Sequence, residues 1–325
     1  MLENYQLLFE QAGVGLLELT FDGVILLSNP CAAAFFGYSP GQLTGMNVLN
    51  LTHPEDILKT QQALGQVIHG EVEVAVVEKR YLRVDGSIVW SRSRVSLLRD
   101  ISGEARSCVA VIADITELKE TQFHLRQAND QLRETLAGSL LSLGLALEAR
   151  DLETSGHTQR VVALSVRLAQ AMGLVPEEID DLKQGAYLHD IGKLTIPDAI
   201  LTKPGPLDAG EWNLMKTHTT AGYSIASQMP TLARSALLVI RHHHERWDGT
   251  GYPDRLAGQD ISRLARIFAV CDVYDALTSE RPYKRAWTHE QAVAELMSQA
   301  AKHFDPQMVA TFVELMKITV TSKRS

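Results

Sequence analysis

Histidines and carboxylates crowd one stretch of this sequence. Eight of the eleven histidines lie at or beyond His157, and several stand near an acid: Glu153 before His157, His189 beside Asp190, then His218, His243-His244 and Asp272. Imidazole nitrogen with carboxylate oxygen is a borderline-hard donor set, suited to Fe, Mn, Co, Ni or Zn and not to Ca. Residues four apart share a helix face, so Glu153 and His157 reach one ion if that stretch is helical. Neighbours such as His189 and Asp190 point about 100° apart on a helix, which suits Asp190 to bridge two ions. Two metals about 3.5–4 Å apart clamp the attacking and leaving oxygens of a displacement at phosphorus, so the expected chemistry is hydrolysis of a phosphate ester. Taken singly, a histidine on a helix is more often structural, and a His-Asp pair is often an ordinary hydrogen bond. The order and spacing of all five segments favour the metal reading. In the run His242-His243-His244 two ligands are expected, with His242 the one left out.

These side chains need a scaffold, and the sequence changes texture twice along its length. From residue 151 onward, helical spacing appears near 158–172, 177–189, 208–217, 231–245, 262–277, 287–301 and 306–317. Pro176, Pro197, Pro204, Pro230, Pro253 and Pro282 fall between these segments or at their ends. Residues 115–150 lack proline, and Ile115, Leu118, Leu125, Leu132, Leu136 and Leu143 fall on a and d positions of one heptad frame, with Gln122 and Asn129 at a. A polar a residue fixes register and favours a parallel two-stranded pairing; the alternative is a monomeric amphipathic linker packed on a neighbouring domain. Residues 1–114 alternate short apolar runs with turns, and the Asp-Gly steps at Asp22-Gly23 and Asp85-Gly86 read as strand connections. The region from Pro30 to Gly70 looks helical and rich in loops. The expected fold class is an α+β domain with an antiparallel sheet and flanking helices over 1–114, a linker helix or coiled coil over 115–150, and an all-α helical bundle over 151–325.

A chain of 325 residues predicts two domains. Its net charge of −8 argues against a general nucleic-acid binder, whereas a small phosphorylated substrate stays compatible because bound metals supply positive charge. Cys31, Cys108 and Cys271 show no metal or redox spacing and fit a reducing compartment. The first basic residue is Lys59, so the basic start of a signal peptide is missing, and no apolar run reaches the eighteen or so residues of a membrane span. A cytoplasmic protein is the expectation.

At this point the residues resemble a known family. His189-Asp190-Ile191-Gly192-Lys193 looks like the signature of HD-superfamily phosphohydrolases, and His244-Glu245-Arg246-Trp247-Asp248-Gly249-Thr250-Gly251-Tyr252-Pro253 resembles the hallmark of the HD-GYP subfamily. Asp272-Val273-Tyr274-Asp275-Ala276-Leu277-Thr278 followed by Arg281-Pro282-Tyr283-Lys284 completes the pattern, and the match runs from about Glu148 to Phe312. The resemblance implies a phosphodiesterase that opens cyclic di-GMP to linear pGpG and sometimes continues to GMP. It implies metal ligands at His157, His189, Asp190, His218, His243, His244 and Asp272, with two or three divalent ions, Fe or Mn foremost. Glu153 matches the acidic position of members that hold a third metal.

Further roles follow from side-chain chemistry. Lys193 lies about one helical turn past Asp190 and suits a place beside the scissile phosphate, which makes Asp190 and Lys193 the catalytic candidates. Arg281 and Lys284 are three apart and suit phosphate oxygens, with a surface basic cluster as the plain alternative. Gly249, Gly251 and Pro253 constrain a loop in which Tyr252 lines the substrate entrance or serves only the turn. Asp248 and Asp275 either orient ligand histidines or cap helices.

Residues 1 to about 118 resemble a PAS sensor with its trailing segment, through Asn29-Pro30, Phe36-Gly37-Tyr38-Ser39, Gly45, His53-Pro54-Glu55-Asp56, Asp85-Gly86-Ser87 and Asp114-Ile115-Thr116. Such domains often bind a small ligand centrally and signal through the helix that follows; the ligand here is unknown. His53 and His69 are the histidines to weigh for haem, although His53 sits in a turn where a local cap is commoner. The combined expectation is a PAS input, a helical transmitter that dimerises the chain, and an HD-GYP output acting on cyclic di-GMP. A different cyclic dinucleotide, or a receptor with little turnover, are the competing readings.

Overall fold

The structure, a computed structural model, describes residues 2–151, 156–280 and 285–322. Two compact units divide the chain, Met1–Asp130 and Gln131–Ser325. The first is built on a five-stranded antiparallel sheet of β1 (Gly15–Leu19), β2 (Ile25–Ser28), β3 (Val74–Leu82), β4 (Ile88–Arg99) and β5 (Ala105–Asp114), in the order β2-β1-β5-β4-β3. Both Asp-Gly steps make the expected connections, with Gly23 at φ 83° between β1 and β2 and Gly86 at φ 80° between β3 and β4. Helices α1 (Leu2–Glu10), α2 (Pro30–Phe36), α3 (Val48–Leu51) and α4 (Ile57–Ile68) complete this unit.

Asn29 explains why the chain turns into α2. Its Oδ1 accepts from Leu16 N and Ala32 N, while its Nδ2 donates to Phe9 O and Val14 O, so this fully buried amide satisfies its neighbours on both sides. Pro30 then presets the first helical turn. Phe35, Phe36 and Tyr81 meet edge to face in the core, with Phe36 and Tyr81 4.9 Å apart. The rest of the core interior is not purely apolar: Lys79, Ser91 and Ser93 are buried, and the Lys79 ammonium donates to Thr60 Oγ1 at 3.0 Å and lies 4.5 Å from the Tyr81 ring centre. His53 and His69 are both engaged locally, His53 accepting from Glu55 N and His69 contacting Gly65 O.

Helix α5 spans Thr116–Arg150 and is followed by α6 (His157–Ala171), α7 (Pro176–Tyr187), α8 (Asp198–Leu201), α9 (Ala209–Lys216), α10 (His218–Ala226), α11 (Arg234–His242), α12 (Arg263–Thr278), α13 (His289–Ser298) and α14 (Pro306–Ser322). The second unit is all-helical, around a core that includes Val161, Leu168, Leu182, Val239, Phe268, Leu296 and Phe312. Helix α10 is additional to the expected segments. Its sequence, HTTAGYSIA, has Thr and Gly where an amphipathic helix has strong formers, and packing holds it in place of propensity. Gly192 is the reason: a Cβ there would come 1.8 Å from His218 O and 2.5 Å from Gly222 N, so only glycine lets this segment dock on α10.

Two expectations need correcting. The helix expected over 177–189 stops at Tyr187, and Ile191–Thr195 forms a 3₁₀ turn, so His189 and Asp190 occupy the junction and not a helix face. The heptad frame also holds for only part of the linker. Leu118, Leu125 and Leu132 stand 47%, 68% and 70% exposed, as an unpartnered seam would. Further along, Leu140 and Leu147 are buried although neither is in the frame, and Leu140 packs with Leu188, Ile191, Ala236 and Ile240 of the second unit's own core. Among the described residues no helix is long and apolar enough to cross a membrane.

Candidate metal centre

Helix ends deliver most of the predicted ligands. His157 is the first residue of α6 and His218 the first of α10; His243 and His244 follow α11, and His189-Asp190 follow α7. Asp272 alone comes from mid-helix, on α12, where Phe268 and Asp275 share its face at the i−4 and i+3 positions. Phe268, fully buried, lies 4.8 Å from the His189 ring and 6.0 Å from the His243 ring, giving the site a hydrocarbon floor. Two groups of three result, His157 with His189 and Asp272, and His218 with His243 and His244, the donor atoms of each lying within 4.8 Å of one another.

The histidine tautomers are fixed from behind. His189 Nδ1 lies 2.8 Å from Ala186 O, His218 Nδ1 2.7 Å from Met215 O, and His243 Nδ1 2.9 Å from Ile240 O. A carbonyl can only accept, so each Nδ1 carries a hydrogen, and His218 and His243, which burial keeps neutral, each present a lone pair at Nε2. His157 Nδ1 likewise faces the Asp275 carboxylate at 2.8 Å. Two of the lone pairs then meet, His218 Nε2 standing 3.3 Å from His243 Nε2. His157 Nε2 and His189 Nε2 face carboxylates, Asp272 Oδ1 at 3.3 Å and Asp190 Oδ2 at 3.1 Å. Buried acceptors facing acceptors are repulsive unless a cation lies among them, so this donor set fits metal ions.

Asp190 joins the two groups. Its Oδ2 faces His189, and its Oδ1 faces His218 at 3.4 Å and His243 at 3.9 Å. Charge is partitioned to match. Burial drives His218 and His243 below the ordinary histidine range and takes His244 down to about 3, leaving neutral donors. Burial opposes ionisation of Asp190 too, yet Lys193 and His189 outweigh it and hold the carboxylate well below its usual range. Asp272 is held low against burial by its hydrogen bond and charge interaction with His157. At His189 burial is likewise overcome, by Asp190 and Asp272, and the pKa rises.

The remaining predicted residues are distributed as follows. Lys193 Nζ lies 2.7 Å from Asp190 Oδ2 and 2.7 Å from Asp151 Oδ2, beside the centre. Tyr252 stacks on His244 with ring centres 4.8 Å apart, at the mouth of a cleft of about 760 Å³. Of the two carboxylates whose roles the sequence left open, Asp275 orients His157 and is itself held by Arg160 Nε at 2.7 Å. Asp248 instead closes its own turn through Thr250 N. His242 turns away from both groups to Asp254 Oδ2 at 3.1 Å. Glu153, Arg281 and Lys284 lie outside the described residues.

Trp212, Lys216, Arg246 and Arg255 line the same cleft as His244 and Tyr252, and sequence reading passed over all four. Lys216 Nζ sits 5.8 Å from the Trp212 ring and 5.9 Å from the Tyr252 ring. None of the described residues lining the cleft is acidic, so a chain of net charge −8 turns a basic, aromatic wall toward its metal groups. A signal was present: Trp212 and Lys216 are four apart on the helix that directly precedes His218.

Comparison with known proteins gives two family matches. The HD domain model matches residues 118–308, and the PAS fold model matches residues 3–115. The chain is 46% identical over 184 residues to 3'3'-cGAMP-specific phosphodiesterase 2 of Vibrio cholerae, covering 56% of this chain and 35% of that protein. It is 44% identical over 187 residues to the cyclic di-GMP phosphodiesterase response regulator RpfG of Xanthomonas campestris, covering 57% and 48%. Against a cyclic di-GMP phosphodiesterase of Pseudomonas aeruginosa it is 38% identical over 257 residues, covering 76% and 62%. The chain therefore spans between about a third and just under two thirds of these relatives. With more than half of its length matched by one model, the chain belongs to the HD-domain family, and a PAS fold precedes its HD domain.

Proposed function

We propose that this chain is a metal-dependent phosphodiesterase that opens cyclic di-GMP to linear pGpG, and onward to GMP, under control of its PAS domain. The observation that carries the reading is the confrontation of two fixed lone pairs, His218 Nε2 against His243 Nε2, within two His/Asp groups that Asp190 faces together. His157, His189 and Asp272 would hold one divalent ion, and His218, His243 and His244 another, with Fe or Mn the ions that the HD-GYP resemblance implies. Such ions supply Lewis-acid charge at the phosphoryl oxygens and lower the pKa of a water nucleophile. Glu153 is the candidate for a third.

The chain's own groups supply orientation and charge. The Lys193 ammonium, beside Asp190, donates to a non-bridging phosphate oxygen and offsets charge that builds as the water oxygen joins phosphorus and the P–O3′ bond breaks. Lys216, Arg246 and Arg255 attract the diester into the cleft. Arg281 and Lys284, outside the described residues, are the further candidates for phosphate contact by side-chain chemistry alone. Tyr252 and Trp212 offer aromatic surface to a base. The exposed Leu118, Leu125 and Leu132 support a parallel homodimer through α5. Three free thiols fit a reducing, cytoplasmic setting.

A second reading, 3'3'-cGAMP as the preferred substrate, is favoured by the 46% identity to the cholera enzyme of that specificity. Against it stands the Pseudomonas relative, named for cyclic di-GMP, whose match reaches over 257 residues. Competition decides: reduced, metal-loaded protein is given equal cyclic di-GMP and 3'3'-cGAMP, with pGpG in a parallel reaction, and products are resolved by chromatography. Faster loss of cyclic di-GMP is expected. Preferential loss of the mixed dinucleotide would replace the substrate assignment.

A further inference from the structure

The last turn of α5 holds the segment that carries Lys193, and it does so through more than one side chain. Arg150 donates to Lys193 O and Ile196 O, each at 3.0 Å, and its Nη2 reaches Asp198 Oδ1 at 2.7 Å. Asp151, next in sequence and with its side chain 4% exposed, binds the Lys193 ammonium itself. One turn earlier, the buried Glu148 accepts from the backbone N–H groups of Gly156, His157 and Thr158, which gives α6 the cap that Gly156 has no side chain to provide. Gly144 brings the helix so near that a Cβ there would be 2.5 Å from Tyr187 O, two residues before His189. Helix α5 thus grips both the backbone and the ammonium of Lys193, and the first ligand histidine as well.

We propose that Asp151 is a positioning residue that aims the Lys193 ammonium and competes with the substrate phosphate for it, which makes the end of helix α5 a direct setter of site affinity. The proposal rests on reading the site as a phosphodiesterase. The Lys193 ammonium faces the carboxylates of Asp151 and Asp190. An incoming phosphate oxygen is a further anionic acceptor that must share it. The Asp151 charge weakens the pull on that oxygen while fixing the direction of the N–H bonds. Removing the charge tightens anion binding, and removing the acceptor as well loosens the ammonium.

The test uses the full chain loaded with Mn, as wild type, Asp151→Asn and Asp151→Ala. Calorimetry with inorganic phosphate reads the competition without any turnover: both variants are expected to bind at least threefold more tightly than wild type. In hydrolysis of cyclic di-GMP and of bis(4-nitrophenyl) phosphate, KM is expected to fall in both. Meanwhile kcat is expected to drop at least tenfold in Asp151→Ala, with partial rescue in Asp151→Asn, which retains an acceptor oxygen. A merely structural role would weaken phosphate binding and lower metal content together. Unchanged or weaker phosphate binding by Asp151→Asn overturns the proposal, and that variant decides alone if Asp151→Ala does not fold. Wild type that cleaves the small diester and spares cyclic di-GMP overturns the substrate reading only.

Discussion

Asp275 Oδ2 stands 2.8 Å behind His157 Nδ1, on the side of the ring opposite Asp272. That contact orients the ring so that Nε2 lies 3.3 Å from Asp272 Oδ1, and Arg160 keeps the Asp275 carboxylate from rotating away. Partners of this kind typically govern ligand basicity and ring orientation, and their loss costs about 10–100-fold in metal affinity. Asp275→Ala is therefore expected to weaken metal retention by that factor while the helical circular dichroism stays as in wild type. Metal content after dialysis against graded chelator checks it. Retention equal to wild type would remove Asp275 from the account.

The basic, aromatic cleft predicts a split in the kinetics. Lys216 lies on the wall, next to Trp212 and Tyr252, and is placed for binding. Losing a charged hydrogen bond costs about 1.5–3 kcal/mol, or about ten- to hundredfold. Lys216→Ala is expected to raise KM for a cyclic dinucleotide by about that factor. A small diester such as bis(4-nitrophenyl) phosphate, which has no base to reach along the wall, is expected to show a far smaller change. Equal losses on both substrates would place Lys216 in the chemistry, contrary to this reading.

Acid should loosen the sensor unit through one buried pair. The hydrogen bond from Arg80 holds Asp56, 2% exposed, at about 2 instead of the usual 3.8. A carboxylate depressed on folding contributes stability above its unfolded pKa and loses it as pH falls toward its folded one. The shift corresponds to about 2 kcal/mol. Urea melts of wild type and Asp56→Asn, followed by Trp90 fluorescence, should differ by that order at about pH 6 and converge as pH falls from about 4 to about 2. A difference independent of pH would mean that packing, and not charge, is what Asp56 contributes.

Pairing of the transmitter is open to a direct check. Leu125 and Leu132 are the most exposed members of the heptad seam. Leu125→Lys combined with Leu132→Lys puts like charges across a parallel interface. Sedimentation at tens of micromolar is expected to show a dimer for wild type and a monomer for the double variant. A wild-type monomer would favour the alternative, a linker without a partner.

Much of this was legible because chemistry constrains residue type more tightly than geometry does. The metal groups could be read from histidine and aspartate spacing, and the Asp22-Gly23 and Asp85-Gly86 turns from the need for positive φ. What escaped depends on three-dimensional closure. Helix α10 was hidden because contact with Gly192 stabilises it more than its own Thr- and Gly-rich sequence does. Asp151 and Arg160 carry no local signal, because their partners, Lys193 and Asp275, come from distant elements. Leu140 broke the heptad frame because that part of α5 answers to the second unit's core. The different roles of Asp248 and Asp275 needed the His157 ring in place to be told apart.

The central claim is that two metal groups joined by Asp190 open a cyclic dinucleotide. The most direct measurement titrates metal-free protein with Mn under reducing conditions and follows bound metal per chain together with conversion of cyclic di-GMP to pGpG. The account predicts no conversion without metal, a rate that climbs until at least two ions per chain are bound, and loss of that rate in His189→Ala and Asp190→Ala. Protein that holds its full complement of metal and leaves cyclic di-GMP intact would contradict it.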